Sequence, residues 1–190
     1  MPRQPIITDV KCAHPKPEVP FYGAYPAGFL GPARHLLAAN IGDPVLHVCS
    51  GVVRSYPYDG VGPNDKTLDL DPALKPDFVR DAREPFPSAD SIDDMGGTIG
   101  TSPFWRAVMI DPPYSPEDAD HYAVGRVALP SPRQLVLNAL DVVDVGSKVG
   151  ILHYYIPQIP AHYAFVCGEM HLVLPTNSNI RVFTVFERLS

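Results

Sequence analysis

The sequence has no long hydrophobic run. No stretch reaches the roughly 20 consecutive apolar residues that a membrane-spanning helix needs. The first residues include Arg3, Asp9 and Lys11, and they lack the apolar centre of a secretion signal. We therefore expect a cytoplasmic protein with no membrane partner.

Cysteine is also scarce. The three cysteines, Cys12, Cys49 and Cys167, are widely spaced and odd in number, which argues against a disulfide framework and fits a reducing compartment. Cys12 and His14 form one Cys-x-His pair, but no matching second pair follows in the sequence. We therefore predict no metal site.

Positive charge is not in excess. The formal net charge is -6 and the isoelectric point is near 5.5, so no global basic field attracts a polyanion. This counts against tight binding of nucleic acid by the chain alone. A local basic patch stays open, because Arg80, Arg83 and Arg106 lie near the acidic motifs described below.

Proline, in contrast, is abundant. The 23 prolines exceed the average usage of about 5% and concentrate before residue 33 and between residues 57 and 132, which predicts long irregular segments. With 190 residues, 45% of them hydrophobic, the chain can bury one sizeable core. We expect a single domain over 1–190, with an N-terminal arm at 1–32 that crosses the surface and a core at 33–190.

The hydrophobic pattern predicts strands that alternate with helices or crossovers and end in a hairpin. The predicted strands are 44–49, 66–72, 77–82, 104–111 and 148–155, the helices are 33–40 and 131–146, and the hairpin pairs 163–174 with 180–189. This order predicts an α/β fold, a Rossmann-like and mostly parallel seven-stranded sheet with a C-terminal antiparallel β-hairpin and helices on both faces.

Small or acidic residues stand at the ends of four predicted strands. In an open α/β sheet, ligands bind outside the carboxyl ends of the strands. Each acid taken alone is also a common turn former or helix cap, but together they suggest a site. These residues are Cys49, Ser50 and Gly51, then Asp69 and Asp71, then Asp81, and then Asp111 to Tyr114.

The fourth strand ends in the sequence DPPY, from Asp111 to Tyr114. With this quartet in this place, the sequence resembles the class I S-adenosylmethionine-dependent methyltransferases. Within them it looks most like the Asp-Pro-Pro-Tyr amino-methyltransferases, which include adenine-specific DNA methylases. The resemblance runs in element order over 44–189 and implies S-adenosylmethionine as the cofactor. The other reading of the quartet is a proline-rich turn that closes a strand with a tyrosine lid.

The resemblance implies that the turn after the first strand holds the methionine part of the cofactor. Cys49, Ser50 and Gly51 are the matching residues, whereas Val52 and Val53 stand where further small residues are usual. Glycine lets a backbone approach a ligand closely, and β-branched valine does not.

The resemblance also implies a ribose contact at the second strand and an adenine contact at the third. Asp69 matches the acid that accepts hydrogen bonds from the ribose hydroxyls, with Asp71 as second choice. Asp81 matches the acceptor for the adenine amino group, and the backbone amide of Ala82 matches the contact to the ring.

At the quartet, the resemblance implies the catalytic residues. Asp111 and a carbonyl fixed by Pro112 and Pro113 offer two acceptors to one exocyclic amino group, which localises the lone pair of its nitrogen for attack on the sulfonium methyl. Tyr114 is expected to stack on the target base, a contact worth about 1–3 kcal/mol.

Further substrate contacts are expected from two other segments. The loop 115–132 offers His121, Tyr122 and Arg126, and Tyr154 stands at the end of the fifth strand. The sequence at Tyr154 would look the same if this tyrosine were a core residue at the end of the strand.

The resemblance implies methyl transfer to an exocyclic amino group of a nucleic-acid base, with adenine N6 in DNA ahead of RNA. Three alternatives stay open: guanine N2 or adenine N6 in RNA, an amine of a protein or small molecule, and a non-catalytic methyltransferase-like subunit. The chain is too short for a separate target-recognition domain, so a homodimer or a partner subunit also stays open.

Overall fold

The computed structural model of the chain describes residues 6–11, 25–26, 28–91, 102, 104–121, 128–174 and 179–190. In chain order its helices and strands are β1 Ile6–Lys11, α1 Leu30–Leu36, β2 Val45–Val48, β3 Lys66–Asp69, β4 Phe78–Val79, β5 Trp105–Ile110, α2 Pro116–His121, α3 Pro132–Asp141, β6 Val143–His153, β7 Ala164–Leu174 and β8 Asn179–Arg188. No helix in these ranges is long and apolar enough to cross a membrane.

All the strands belong to one sheet, in the order β1-β7-β8-β6-β5-β2-β3-β4. Strands β2 to β6 pair in parallel, and β8 runs antiparallel to both β6 and β7. If β2 to β8 are renumbered from one to seven, their order from the β4 edge is 3-2-1-4-5-7-6. The predicted Rossmann-like sheet with a C-terminal antiparallel hairpin is confirmed.

An eighth strand extends this sheet. Residues 6–11 pair in parallel with β7, from Ile6 opposite Gly168 to Lys11 opposite Val173. The sequence pattern predicted an arm over the surface here, because a strand that pairs with a partner far along the chain has no local signal. The pairing covers the edge of β7, which would otherwise present unpaired backbone groups.

Helices pack on both faces of the sheet, as predicted. Successive side chains of a strand point to opposite faces, and β5 follows this rule. Ala107 and Met109 join the core cluster that contains α1, whereas Val108 and Ile110 join the cluster that contains α3. A buried strand with apolar residues on both faces is typical of the middle of a parallel sheet.

Several element boundaries differ from the sequence prediction: β3 and β4 are shorter than 66–72 and 77–82, and the segment 115–132, expected to be a loop, begins with α2. Helix α1 begins and ends earlier than 33–40, and Ala38 just beyond it takes a left-handed φ of 52°. Helix α3 ends at Asp141 instead of reaching Gly146, and β6 begins at Val143. The reason is that the sequence DVVDV fits the period of a strand as well as that of a helix, and β-branched valine favours the strand.

The crossovers from β2 to β3 and from β3 to β4 contain 3-10 turns, Val53–Ser55 and Pro72–Leu74, where a Rossmann-like fold usually has α-helices. A buried carboxylate ties these short crossovers together. Asp77 accepts hydrogen bonds from both the backbone N–H and the hydroxyl of Thr67, each at 2.8 Å, and from Lys66 Nζ at 3.2 Å. Hydrogen bonds thus help to stabilise crossovers that have no packed helix.

We predict that Gly150→Ala destabilises the protein. A Cβ at Gly150 on β6 would lie 2.1 Å from Cζ of Phe183 on β8, and overpacking of this kind costs about 1–3 kcal/mol. Gly31→Ala in α1 is the matched control, since a Cβ there meets nothing within 4 Å. Urea unfolding should give a lower midpoint for Gly150→Ala and an unchanged or higher one for Gly31→Ala. Equal midpoints for the two variants would contradict the packing described here.

Candidate active site

The carboxyl ends of β2, β3, β4 and β5 bring one thiol and three carboxylates together. Cys49 follows β2, Asp69 ends β3, Asp81 follows β4 and Asp111 follows β5. Burial raises the pKa of the Cys49 thiol, and the negative charges of Asp69, Asp111 and Asp81 raise it further. The four strand ends that were singled out in the sequence therefore face one region.

The turn after β2 is tight. Cys49 and Gly51 both take left-handed φ values, 54° and 50°. Glycine adopts this conformation without steric cost, whereas a residue with a side chain is strained there. Ser50 between them is buried, and its N–H donates to the Leu68 carbonyl at 3.3 Å. Val53 is buried in the core around α1 and therefore does not fill the space at the strand ends.

Asp69 closes this turn. Its carboxylate accepts hydrogen bonds from the N–H of Gly51 at 2.9 Å and from the N–H of Asp71 at 3.1 Å. The backbone N–H of Leu70 also bonds to it, so of the roughly four acceptor positions of a carboxylate about one remains for a ligand. Burial raises the pKa of Asp69. Asp71 has a local role instead, since its side chain accepts from the N–H of Ala73 and caps the following 3-10 turn. Of the two acids, Asp69 is better placed to accept from a ligand.

Asp81 is engaged by a neighbour. Arg83 Nε lies 3.0 Å from each oxygen of its carboxylate, and this bond lowers the pKa of Asp81. The next residue, Ala82, is buried. Asn138 on α3 donates to the Glu84 carbonyl at 2.9 Å and to the Ala82 carbonyl at 3.4 Å. Helix α3 thus fixes the loop after β4. The sequence analysis missed Asn138, whose signal was an amide on the apolar face of a helix.

The quartet after β5 folds back on itself. The prolines end the strand as predicted, and the Tyr114 hydroxyl donates a hydrogen bond to the Asp111 carboxylate. Burial raises the pKa of Asp111 to about 6, against the opposing effects of the Tyr114 hydrogen bond and of the positive charge of Arg181. Asp111 is therefore mostly ionised at neutral pH.

Arg181 on β8 lies against this quartet, and the sequence analysis missed it. Its Cζ is 4.4 Å from the centroid of the Tyr114 ring and 5.8 Å from that of Tyr154. In the antiparallel register His153 pairs with Val182, which puts Arg181 beside the carboxyl end of β6. The predicted hairpin could have pointed to Arg181, because the second strand of the hairpin runs back past the carboxyl ends of the parallel strands.

Aromatic rings surround Tyr114. The ring of Tyr154 is 4.9 Å away and the ring of His153 is 5.4 Å away, centroid to centroid. Tyr155 lies 4.4 Å from His153, and Tyr154 and Tyr155 are 45% and 53% exposed. The structure thus brings the predicted substrate residue Tyr154 next to Tyr114.

Other predicted site residues lack a described side chain. His121 is the last residue of α2, and nothing is described of its side chain. Tyr122 and Arg126, and also Cys12 and His14, lie outside the described residues. Within the described part of the chain, no group of three or more His, Cys, Asp or Glu side chains is placed to hold a metal ion.

A buried polar chain lies under the site on the α1 face of the sheet. Arg34 donates to both oxygens of Asp65 at 2.8 and 2.9 Å, and His47 Nε2 lies 3.1 Å from Asp65 Oδ2. The hydroxyl of Tyr25 is 3.4 Å from His47 Nδ1. All four side chains are buried. Burial raises the pKa of Tyr25, and the charge of Asp111 raises it further, which places this chain next to the catalytic candidate.

Known protein families and curated proteins give no match to this chain. Solved structures do. The chain is similar to TrmN from Thermus thermophilus, with a TM-score of 0.53 and 15% identity over 84% of this chain and 48% of that chain. It is also similar to the N-methyltransferase NodS from Bradyrhizobium japonicum WM9 in complex with S-adenosyl-L-homocysteine, with a TM-score of 0.50 and 6% identity over 84% and 87% of the two chains.

The chain has the class I methyltransferase fold. It spans about half the length of the TrmN chain and most of the NodS chain. At such identities the likeness concerns the fold, and any chemistry has to be argued from the side chains at the strand ends.

We predict that Asp65→Asn destabilises the fold. Burial opposes ionisation of Asp65, but hydrogen bonds from His47 and Arg34 outweigh it and lower the pKa of the carboxyl. Removing one partner of a buried ion pair costs about 3–5 kcal/mol. A lowered pKa gives stability above the unfolded-state value of about 3.8, and this stability is lost as the pH falls through the folded-state pKa.

The measurement is urea unfolding of both proteins at neutral pH and at acid pH. The gap between wild type and Asp65→Asn should be large at neutral pH and should shrink toward acid pH. Asp144→Asn on β6, an exposed position, is the control and should stay close to wild type. A gap that does not depend on pH would show that the charge of Asp65 is not what stabilises the fold.

Proposed function

We propose that this chain is an S-adenosylmethionine-dependent methyltransferase that acts on an exocyclic amino group of a nucleic-acid base, with adenine N6 in DNA as the first candidate. The observation that carries the proposal is the partly buried Asp111 at the end of β5, with Tyr114 bonded to it, in a class I methyltransferase fold.

The cofactor site proposed for this chain consists of the turn after β2 and the acids that follow β3 and β4. S-adenosylmethionine, when bound, supplies a methyl group activated by a sulfonium. The left-handed turn at Cys49, Ser50 and Gly51 suits close approach of the backbone to its methionine part. The acceptor position that Gly51, Asp71 and Leu70 leave on Asp69 suits a ribose hydroxyl, and the second hydroxyl would share an oxygen with one of these N–H groups.

The loop after β4 is proposed to bind the adenine part of the cofactor. Asp81 is the proposed acceptor for the adenine amino group, and the Ala82 N–H is the proposed contact to the ring. Arg83 already binds both oxygens of Asp81, but its side chain is exposed and can share or leave that position at little cost. Asp71 serves the turn and is the weaker candidate for the ribose.

The target amino group is proposed to bind at Asp111. Its nitrogen is a poor nucleophile while its lone pair is delocalised into the base, and two acceptors, the carboxylate and a carbonyl of the Pro112-Pro113 pair, localise that pair. Transfer would break the bond between sulfur and methyl, leave a neutral thioether and form an N–C bond, and the nitrogen would lose a proton. A carboxylate with a pKa of about 6 is suited to accept that proton near neutral pH. The Tyr114 hydroxyl now bonded to Asp111 has to give way to the amino group.

Stacking is proposed to hold the base. Tyr114 and the half-exposed Tyr154 offer aromatic faces next to Asp111. His121 at the end of α2, and Tyr122 and Arg126 after it, are proposed as further contacts. A base in a duplex has to be extruded before it can reach such a pocket.

A second candidate is methylation of an amine of a protein or small molecule. The net charge of -6 favours it, because a polyanion gains little from the overall field of this chain. Tritiated methyl transfer onto unmethylated DNA, RNA and a protein extract in parallel separates these substrates, with DNA expected to be labelled first.

We expect Asp111→Ala to abolish methyl transfer and to leave cofactor affinity within a few-fold of wild type. The reason is that Asp111 touches the amino group and not the proposed cofactor site. The measurements are methyl transfer on the labelled substrate and calorimetric titration with S-adenosylmethionine. Asp144→Ala is the control and should keep its activity, because this exposed acid lies at the start of β6, away from the carboxyl ends of the strands. Wild-type turnover by Asp111→Ala would contradict the proposal.

For Asp69→Ala we expect weaker cofactor binding. Losing one charged hydrogen-bond partner costs about 1.5–3 kcal/mol, which is roughly ten- to hundredfold in the dissociation constant. Calorimetric titration with S-adenosylmethionine measures it, and Asp71→Ala should lose less, because its carboxylate caps a turn. An unchanged dissociation constant for Asp69→Ala would count against ribose recognition. No heat with folded wild-type protein would favour a non-catalytic subunit.

A further inference from the structure

Arg181 joins the acidic and the aromatic parts of the site. Its guanidinium lies over the face of Tyr114, whose hydroxyl donates to Asp111, and it also interacts with Tyr154. The Nε of Arg181 is buried and has no hydrogen-bond partner among the described residues. A cation buried in this way is costly unless nearby negative charge or aromatic faces offset the cost.

The charge of Arg181 acts on Asp111 through space. The groups that act on each other around Asp111 are the Tyr114 hydroxyl, Arg181, the buried Tyr25 hydroxyl and the Cys49 thiol, and His153 lies 5.4 Å from the Tyr114 ring. Burial and the charge of Arg181 lower the pKa of His153, so the direct titration of Asp111 is the test that separates the two groups. Among these groups Arg181 supplies the positive charge. No direct ion pair joins it to Asp111 among the described contacts, and Tyr114 contacts both side chains.

This arrangement differs from that of an arginine that only binds backbone carbonyls and so holds two segments together. Arg188 on the same strand makes such structural contacts, since its Nη1 and Nε donate to the backbone carbonyls of Val143 and Ser190. Arg181 instead places its positive charge near Asp111, the carboxylate that the proposed reaction needs in its ionised form. The field of a partly buried cation is screened less by salt than that of an exposed one.

We propose that Arg181 is a positioning residue for methyl transfer, which keeps Asp111 ionised and holds the Tyr114 ring beside it. This inference rests on the proposed function, because it concerns the same carboxylate. The inference also gives the C-terminal hairpin a role in the site. Its strand β8 brings the cation of Arg181 to the carboxyl end of β6. The guanidinium covers one face of Tyr114, so the target base stacks on the other face or displaces the guanidinium.

The first test needs no activity. The Asp111 carboxyl is titrated by ¹³C NMR in the full chain, with the signal assigned by its loss in Asp111→Asn. The midpoint of wild type is expected near the pKa of about 6. In Arg181→Gln the ratio of protonated to ionised Asp111 at pH 6.5 should be roughly three- to tenfold larger, and Arg181→Lys should return toward wild type.

Arg133→Gln is the matched control, since this exposed arginine of α3 donates to the Gln158 carbonyl and not to the site. It should leave the Asp111 midpoint unchanged. An Arg181→Gln protein that keeps its fold and its Asp111 midpoint overturns the inference. Should Arg181→Gln fail to fold, Arg181→Met and Arg181→Lys give the same comparison, and equal midpoints in those two proteins overturn it as well.

The second test uses the pH dependence of methyl transfer. The acid limb of the profile should move to higher pH in Arg181→Gln, with a several-fold loss of rate at pH 6.5 that recovers at pH 8.5. The affinity for S-adenosylmethionine should not change. An unmoved limb overturns the role in catalysis. If wild type transfers no methyl group to any substrate, the proposed function fails, and the titration still decides whether Arg181 controls Asp111.

Discussion

The cost of placing a carboxylate at the end of a central, buried strand governs the arrangement of this site. Asp111 follows β5, which lies between β2 and β6, and its N–H makes the last ladder bond to the Val48 carbonyl at 3.2 Å. Two prolines then forbid any further pairing, so the carboxylate stays where the strand leaves it. Burial favours its protonated form, and a hydroxyl and a cation have to oppose this. Tyr114 comes from the same turn, but Arg181 comes from the far hairpin. The site is therefore complete only when the last strand has returned to the sheet.

The same edge of the sheet is supported by polar bonds where helices are short. The crossovers on either side of β3 contain 3-10 turns, which bury less apolar surface than a packed helix does. Asp77 binds Thr67 across β3 and β4, and Asn138 reaches from α3 to the loop after β4. Beside β2, Arg34, Asp65 and His47 form a buried, hydrogen-bonded polar chain. Because these side chains bond to partners on neighbouring elements, the networks also fix the positions of the loops that they touch.

The sequence predicted what depends on local pattern and missed what depends on distant pairing. Apolar runs that end in acids, such as the one before Asp111, indicated where the parallel strands lie along the chain, because apolar runs and helix or strand breakers are local signals. The strand Ile6–Lys11 could not be predicted, because its partner lies near the other end of the chain. Arg181 was missed for the same reason, since its neighbours follow from the register of the hairpin. Helix α3 was predicted to be too long, because the hydrophobic pattern of DVVDV fits the period of a helix as well as that of a strand. The roles of Asp69, Asp81 and Asp111 stay predictions, and the structure adds that Asp71 caps a turn.

Charge and aromatic surface together suggest how an acidic chain would bind the proposed substrate. With a net charge of -6, attraction to phosphates cannot supply most of the affinity. Such attraction requires several lysine or arginine side chains of the protein next to the phosphates of the nucleic acid. Stacking does not depend on net charge, and Tyr154 and Tyr155 expose their rings beside Tyr114. A base that is already unpaired avoids the cost of extrusion from a duplex. Within the proposed function, weak electrostatics and exposed rings therefore favour an unpaired or easily flipped base over one in a stable duplex.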